Sequence, residues 1–174
     1  MSRRIAIKGA SGSGKTTLAA EVARRLGVAH VELDGLHHGP NWREPSVEEF
    51  RASVQAAMDA HPEGWVMDGN YESKLDRLVT DAADTVVWLD LPLALLLGRL
   101  WRRTLGRIRG RVELWNGNRE SWRTAFWGRD ALFAWTVRAH VRHRREWPSR
   151  FADQPNVVRL RSQREIARWL QAQR

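Results

Sequence analysis

Short apolar runs alternate with amphipathic stretches along this chain, and turn residues separate them. Residues 3–8, with Ile5-Ala6-Ile7 at their centre, predict a first strand, and Lys15 to Leu26 predicts a helix ended by Gly27. Val28 to Leu33 reads as a second strand. Ser46 and Glu49 form a capping box that opens a helix running to about Ala60. Trp65-Val66-Met67 is a third strand, ending at Asp68-Gly69, and the β-branched, apolar run from Thr85 to Leu89 is a fourth. Pro92 then sits at its favoured first helical position, in a helix expected to reach about Arg103. Residues 106–118 are broken by glycine and rich in arginine, which reads as a mobile insert. A helix from about Asp130 to Trp147 follows, with Pro148 expected to stop it. Asn156 to Leu160 is a fifth strand, and Ser162 with Glu165 caps the last helix. Strands alternating with helices predict an α/β fold: a parallel sheet with helices on both faces.

At 174 residues the chain has the size of one domain, read as a single unit over residues 1–174 with a basic helical insert. The longest apolar run, Leu91 to Gly98, falls well short of the ~20 residues that cross a bilayer. The N-terminus enters a strand with no apolar signal core, so a cytoplasmic location is expected. The absence of cysteine excludes disulfides, thiolate metal sites, iron–sulfur clusters and cysteine nucleophiles. Charge divides the chain: residues 1–90 carry 10 Lys/Arg against 14 Asp/Glu, whereas residues 91–174 carry 19 against 6. That asymmetry points to an anionic partner for the second half, either polyphosphate or nucleic acid.

Gly9-Ala10-Ser11-Gly12-Ser13-Gly14-Lys15-Thr16 matches G-x-x-x-x-G-K-[ST] at every fixed position, between a predicted strand and a predicted helix. Such a loop turns successive backbone N–H groups onto phosphate oxygens, and the helix N-terminus adds its positive end. In this motif Lys15 contacts the β- and γ-phosphates and the Thr16 hydroxyl ligates Mg²⁺, with Thr17 beside it. ATP and Mg²⁺ are the expected cofactors. A carboxylate near Thr16 is required, and two strand ends offer one, Asp68 and Asp90.

The phosphate loop belongs to a wider set of segments. These are Leu33-Asp34-Gly35-Leu36-His37-His38 with Pro40-Asn41-Trp42, Trp65 to Tyr71, Val86 to Pro92, and Gly117 to Trp122. Together they resemble the small P-loop kinases related to adenylate, shikimate and gluconate kinases, and in particular the adenylate-kinase-like group of topology modulation proteins. The resemblance implies a five-stranded parallel sheet in the order 2-3-1-4-5, an acceptor-binding region at roughly residues 34–62, and a lid and basic helical region at roughly 99–147. It assigns the metal carboxylate to Asp68, at the end of the third strand, and leaves Asp90 to support the helix opened by Pro92. It places Asp34 facing the γ-phosphate, to orient or deprotonate an acceptor hydroxyl. His37, Asn41, Trp42 and Arg43 lie in the acceptor segment, with Asp68, Asn70 and Tyr71 completing the substrate side. Arg99 and Arg103, one helical turn apart, are where related kinases place arginine against adenine and ATP phosphate, and Arg119 is the candidate transition-state clamp. The chain departs from adenylate kinases after the third strand: an arginine there holds the acceptor's phosphate, whereas this chain has Glu72. A neutral hydroxyl acceptor is as open as a nucleotide.

Between Arg99 and Arg150 lie 14 arginines against four acidic residues, more than one nucleotide needs. Arg138, Arg142 and Arg145 share a helical face, where they can follow a nucleic-acid backbone. Trp135, on the same turn as Leu132 and Ala139, is expected in the core. Two functions are therefore expected: phosphotransfer from MgATP to a small molecule, nucleoside or nucleotide or, as the alternative, nucleotide-dependent association with nucleic acid.

Overall fold

Ile5, Ala6 and Ile7 are completely buried in β1 (Arg4–Gly9), the central strand of the computed structural model, which describes residues 3–110, 113–118 and 131–173. Around it stand β2 (Ala29–Glu32), β3 (Trp65–Asp68), β4 (Thr85–Leu89) and β5 (Val157–Leu160), in the order β2-β3-β1-β4-β5. Every pairing is parallel, so each connection is a crossover carrying helices. These are α1 (Lys15–Leu26), α2 (Leu33–His37) and α3 (Val47–Asp59), then α4 (Glu72–Leu75) and α5 (Leu78–Ala82), then α6 (Leu93–Arg109) and α7 (Leu132–Arg150), with α8 (Gln163–Gln171) after β5. The α/β sheet, its order and its helices on both faces are those expected.

The two-residue period of the strands divides the core into two layers. Ile5, Ile7, Val66, Val87 and Leu89 pack on Leu18, Ala19, Val22 and Ala23 of α1, with α8 alongside. Ala6, Trp65, Met67, Val86 and Trp88 face the other way, onto Phe50 and Val54 of α3, onto Trp147 of α7 and onto Phe151 just after it. The register sets Ile7 beside Asp68 and Gly9 beside Leu89, so the C-terminal ends of β1, β3 and β4 meet at one edge. In open parallel sheets this edge is where ligands bind.

Three local expectations are corrected. Helix α6 runs to Arg109, not Arg103: Leu96, Leu100 and Thr104 continue one buried stripe, and open space beside Gly98 and Gly106 leaves no contact to break. Helix α7 passes through Pro148 to Arg150, because Trp147 and Phe151, on either side of it, both pack on Trp88. Trp135 is 38% exposed, so it lies outside the core.

Helix α7 buries His140 and His143 beneath its arginines. The His143 ring stacks on Trp147 with centroids 3.8 Å apart. Burial, opposed by the nearby Glu72 carboxylate and reinforced by Arg142, pushes His143 down to about 4. Between the ordinary value near 6.5 and about 4, the unfolded chain binds a proton that the folded chain refuses. Stability therefore rises with pH across that window, by roughly 3 kcal/mol in total. His143→Phe keeps a ring on Trp147 and carries no proton, so its melting temperature should fall less than wild type between pH 7 and pH 5. Equal falls would show that His143 does not drive the acid loss.

Candidate active site

The phosphate loop leaves β1 at Gly9, where φ is 152° and a Cβ would press within 2.9 Å of Ser13 Oγ and Leu89 O. At Gly12, φ is 81° and a Cβ would lie 2.5 Å from Leu96 O, so the outer side of the loop is closed by α6. Side chains are excluded from these turns, and the loop amides are left for an anion. Ser13 N donates to Ala10 O at 3.1 Å, and α1 starts after Gly14 with no side-chain cap, leaving its first N–H groups open. The half-buried Lys15 folds back over the loop, its Nζ 3.4 Å from Ala10 O. Burial lowers its pKa; Asp34 and Asp68 pull the other way, while Arg103 and Lys8 add to the lowering. A bound phosphate would supply the missing countercharge.

The Thr16 hydroxyl, on the exposed start of α1, stands 3.4 Å from Asp68 Oδ1. Asp68 is 1% exposed, and His30 Nε2 holds its Oδ2 at 3.1 Å. Carboxylate oxygens only accept, so His30 donates from Nε2. One hydroxyl and one oriented carboxylate fit Mg²⁺, which retains waters and takes its remaining oxygens from phosphates. Among the described residues, no cluster of three or more His, Asp or Glu could hold a metal alone. Asp90 has a different place from the one expected. Its carboxylate is buried against Arg159, with Nη2 at 2.6 Å, and against Arg144 Nε at 3.1 Å, so it joins β5 and α7 instead of capping α6. Pro92 is itself the N-cap of α6, one position before the first helical place expected for it.

Asp34 lies in α2, directly after β2. Tyr71 donates its hydroxyl to Asp34 Oδ1 at 2.7 Å, and burial together with the Asp34 charge pushes the phenol upward, keeping it a donor. His37 is buried against the rings of His38, Phe50 and Tyr71. Lys74 Nζ approaches its Nε2 at 2.6 Å and Glu44 Oε2 at 2.7 Å. An ammonium cannot accept, so the His37 proton is on Nδ1, which is buried with no partner among the described residues. Burial and then Lys74 lower the His37 pKa, with Glu44 and Asp34 opposing them.

Asn41 and Trp42 both adopt positive φ, 56° and 60°, in the turn Pro40–Trp42, and Arg43 follows on the surface. Residues 113–118, expected within a mobile insert, instead dock on this segment. Asn116 Nδ2 donates to His38 O at 2.6 Å, Asn118 Nδ2 to Gly39 O at 3.0 Å, and Trp42 N to Asn118 Oδ1 at 2.8 Å. Trp115 Nε1 adds a bond to Glu32 at 2.9 Å. On the nucleotide side, Arg99 Nη1 stands 3.5 Å from Ser13 O, while Arg103, one turn on, acts electrostatically on Lys15. Thr17 is exposed on α1, and Arg119 lies outside the described residues.

Two side chains after β3 have partners on β1: the Asn70 carboxamide bonds the backbone of Gly9, and Glu72 pairs with the buried Lys8 at 3.1 Å. Sequence reasoning alone misses Lys8 and Glu44; the signal for Lys8 is a charge at the end of an apolar run, and Glu44 has none.

A glycine-cradled loop between β1 and α1, with a hydroxyl and a carboxylate at its mouth, defines a P-loop nucleotide-binding fold. The family described as AAA domain matches residues 5–122, and the chain belongs to it. Solved structures with the same fold include a gluconokinase from Sinorhizobium meliloti 1021, 18% identical, covering 98% of this chain and 89% of that one with a TM-score of 0.57. A shikimate kinase from Bacteroides thetaiotaomicron is 17% identical over 99% and 96% of the two chains, also with a TM-score of 0.57. A sugar kinase from Janibacter sp. HTCC2649 is 18% identical over 98% and 94%, with a TM-score of 0.54. No curated protein matches the chain. Among the described residues, no helix is long and apolar enough to cross a membrane.

Proposed function

We propose that the protein is a kinase that moves the γ-phosphoryl group of MgATP to a hydroxyl of a small molecule. The observation that carries this is the pairing of a phosphate loop with Asp34, held by Tyr71 on a separate element while acting electrostatically on Lys15. Phosphoryl transfer asks mainly for positioning and charge neutralisation. Lys15 and the loop amides hold the triphosphate, and Thr16 and Asp68 hold Mg²⁺, which neutralises charge on the phosphates when bound. Asp34 accepts from the incoming hydroxyl through the oxygen that Tyr71 leaves open, and Arg99 and Arg103 close over the nucleotide. Residues 1–174 act as one domain, with the acceptor bound by roughly residues 34–62 and covered by a lid within roughly 99–147. The solved neighbours are named gluconokinase, shikimate kinase and sugar kinase, which favours a small hydroxyl-bearing acceptor. Glu72, paired with Lys8, stands where an adenylate kinase has its phosphate-holding arginine, so a nucleotide acceptor would need Arg43, Arg51 or a lid arginine in its place. Radiolabelled ATP offered with nucleosides, nucleotides, sugars and aminoglycosides should yield one labelled acceptor class. A folded protein that binds MgATP and labels none of them would count against kinase activity.

One observation favours a second role: Arg138, Arg142 and Arg145 are all exposed on α7, near the half-exposed Trp135. If they follow a nucleic-acid backbone, reversing all three charges should flatten the salt dependence of binding by a log–log slope of about 0.9 per lost duplex contact. If the kinase proposal is complete, the triple reversal should leave turnover within twofold, and fluorescence anisotropy should detect no saturable complex at physiological salt.

A further inference from the structure

We infer that Asn70 is a positioning residue for the nucleotide, acting through the backbone of Gly9 at the root of the phosphate loop. The inference rests on the MgATP site proposed above. The pairing of β3 with β1 ends at Ile7 opposite Asp68, and the next residues of the two chains, Lys8 with Gly69 and Gly9 with Asn70, meet through side chains instead of a ladder. Gly69 turns the chain away at φ 142°, with its N donating to Ile7 O at 3.3 Å and its O accepting from Lys8 Nζ at 2.9 Å. At the next pair a side chain replaces the missing strand. Asn70 Oδ1 accepts from Gly9 N at 3.1 Å, and Asn70 Nδ2 donates to Gly9 O at 2.6 Å. A carboxamide offers one donor and one acceptor side by side, as a peptide does, so it satisfies both groups of Gly9 where the ladder stops.

The consequence falls on the loop. Gly9 is the last residue of β1, its φ is 152°, and Ser13 and Leu89 leave no room for a Cβ. The direction of its peptide sets the turn from which the following amides converge on phosphate. With the clasp removed, the root is free to rotate and the amides lose their common focus. The same short segment also carries Tyr71, which holds Asp34. Residues 70 and 71 thus tie the nucleotide loop and the acceptor carboxylate to one strand end, where their separation decides in-line transfer.

The test compares Asn70→Asp and Asn70→Ala with wild type by calorimetric titration of MgATP and by thermal melting without ligand. Asn70→Asp keeps the shape and the acceptor but sets a carboxylate oxygen against Gly9 O, so conservation of size should not rescue it. Both variants should bind MgATP at least roughly tenfold more weakly, because the freed loop root must be ordered on binding, while ligand-free melting falls by no more than the loss of the two Gly9 hydrogen bonds explains and the variants stay folded. Wild-type affinity in either folded variant overturns the inference, as does a lowered melting temperature with unchanged affinity. Failure of both variants to fold assigns Asn70 to stability and likewise overturns it. If wild type itself binds no MgATP, the nucleotide site proposed above fails and this inference fails with it; intact wild-type binding with unaffected variants sinks the inference alone.

Discussion

Replacing Lys15 with alanine should remove nearly all MgATP turnover while leaving the ligand-free fold in place. The Lys15 ammonium is half-buried, and its hydrogen bond to Ala10 O is long at 3.4 Å. Burial disfavours its charge, which lowers its pKa despite Asp34 and Asp68. The charged side chain is thus held ready for a ligand at some expense to the free protein. Its loss should leave the ligand-free melting temperature equal to that of wild type or higher. A preorganised donor aimed at transition-state charge is worth about 10²- to 10³-fold in rate, and Lys15 also binds the ground state. Steady-state turnover and melting on the same preparation provide the check. A folded Lys15→Ala variant with wild-type turnover would overturn phosphotransfer at this loop.

Asp34→Asn and Asp68→Asn should separate into two different defects. Asn at position 34 still accepts from the Tyr71 hydroxyl, but it has lost the charge that orients and draws a proton from the acceptor hydroxyl. The turnover number should fall by about 10²- to 10⁴-fold, with MgATP affinity close to wild type. Asp68 faces Thr16 and is fixed by His30, so its variant should need more Mg²⁺ to reach half-maximal rate. Titrating Mg²⁺ and ATP separately in each variant tests the assignment. One shared defect would show that the two carboxylates do not divide the work between acceptor and metal.

The sheet was legible because its signals are local. Ile5 and Ile7 alternate with Ala6 and Lys8, the glycines of the loop fall at fixed spacing, and Ser46 with Glu49 caps α3 as the sequence indicates. The strand order came from the resemblance, since nothing in a strand's own pattern names its neighbour. The partners of charged residues were the least legible part. Asp90 looked like a helix-end carboxylate until Arg159 and Arg144 arrived from 69 and 54 positions further along the chain. Glu72 looked like the loss of a phosphate ligand, but its local meaning depends on Lys8, which a strand pattern treats only as a flank. Pro148 misled for the same reason: its cost is local, whereas the packing of Trp147 and Phe151 on Trp88 is not.

The contacts by which Asn116 and Asn118 hold the segment around Trp42 have a common property: every atom they address is main chain. Asn116 reaches Gly35 O and His38 O; Asn118 reaches Gly39 O and receives Trp42 N. The two asparagines recognise the contour of that segment and not the identity of its side chains. Substitutions at His38 or Trp42 that preserve the contour are therefore invisible to them. If this segment meets the acceptor as proposed, its side chains can change while the asparagine contacts stay the same, so a new specificity would need no change at Asn116 or Asn118.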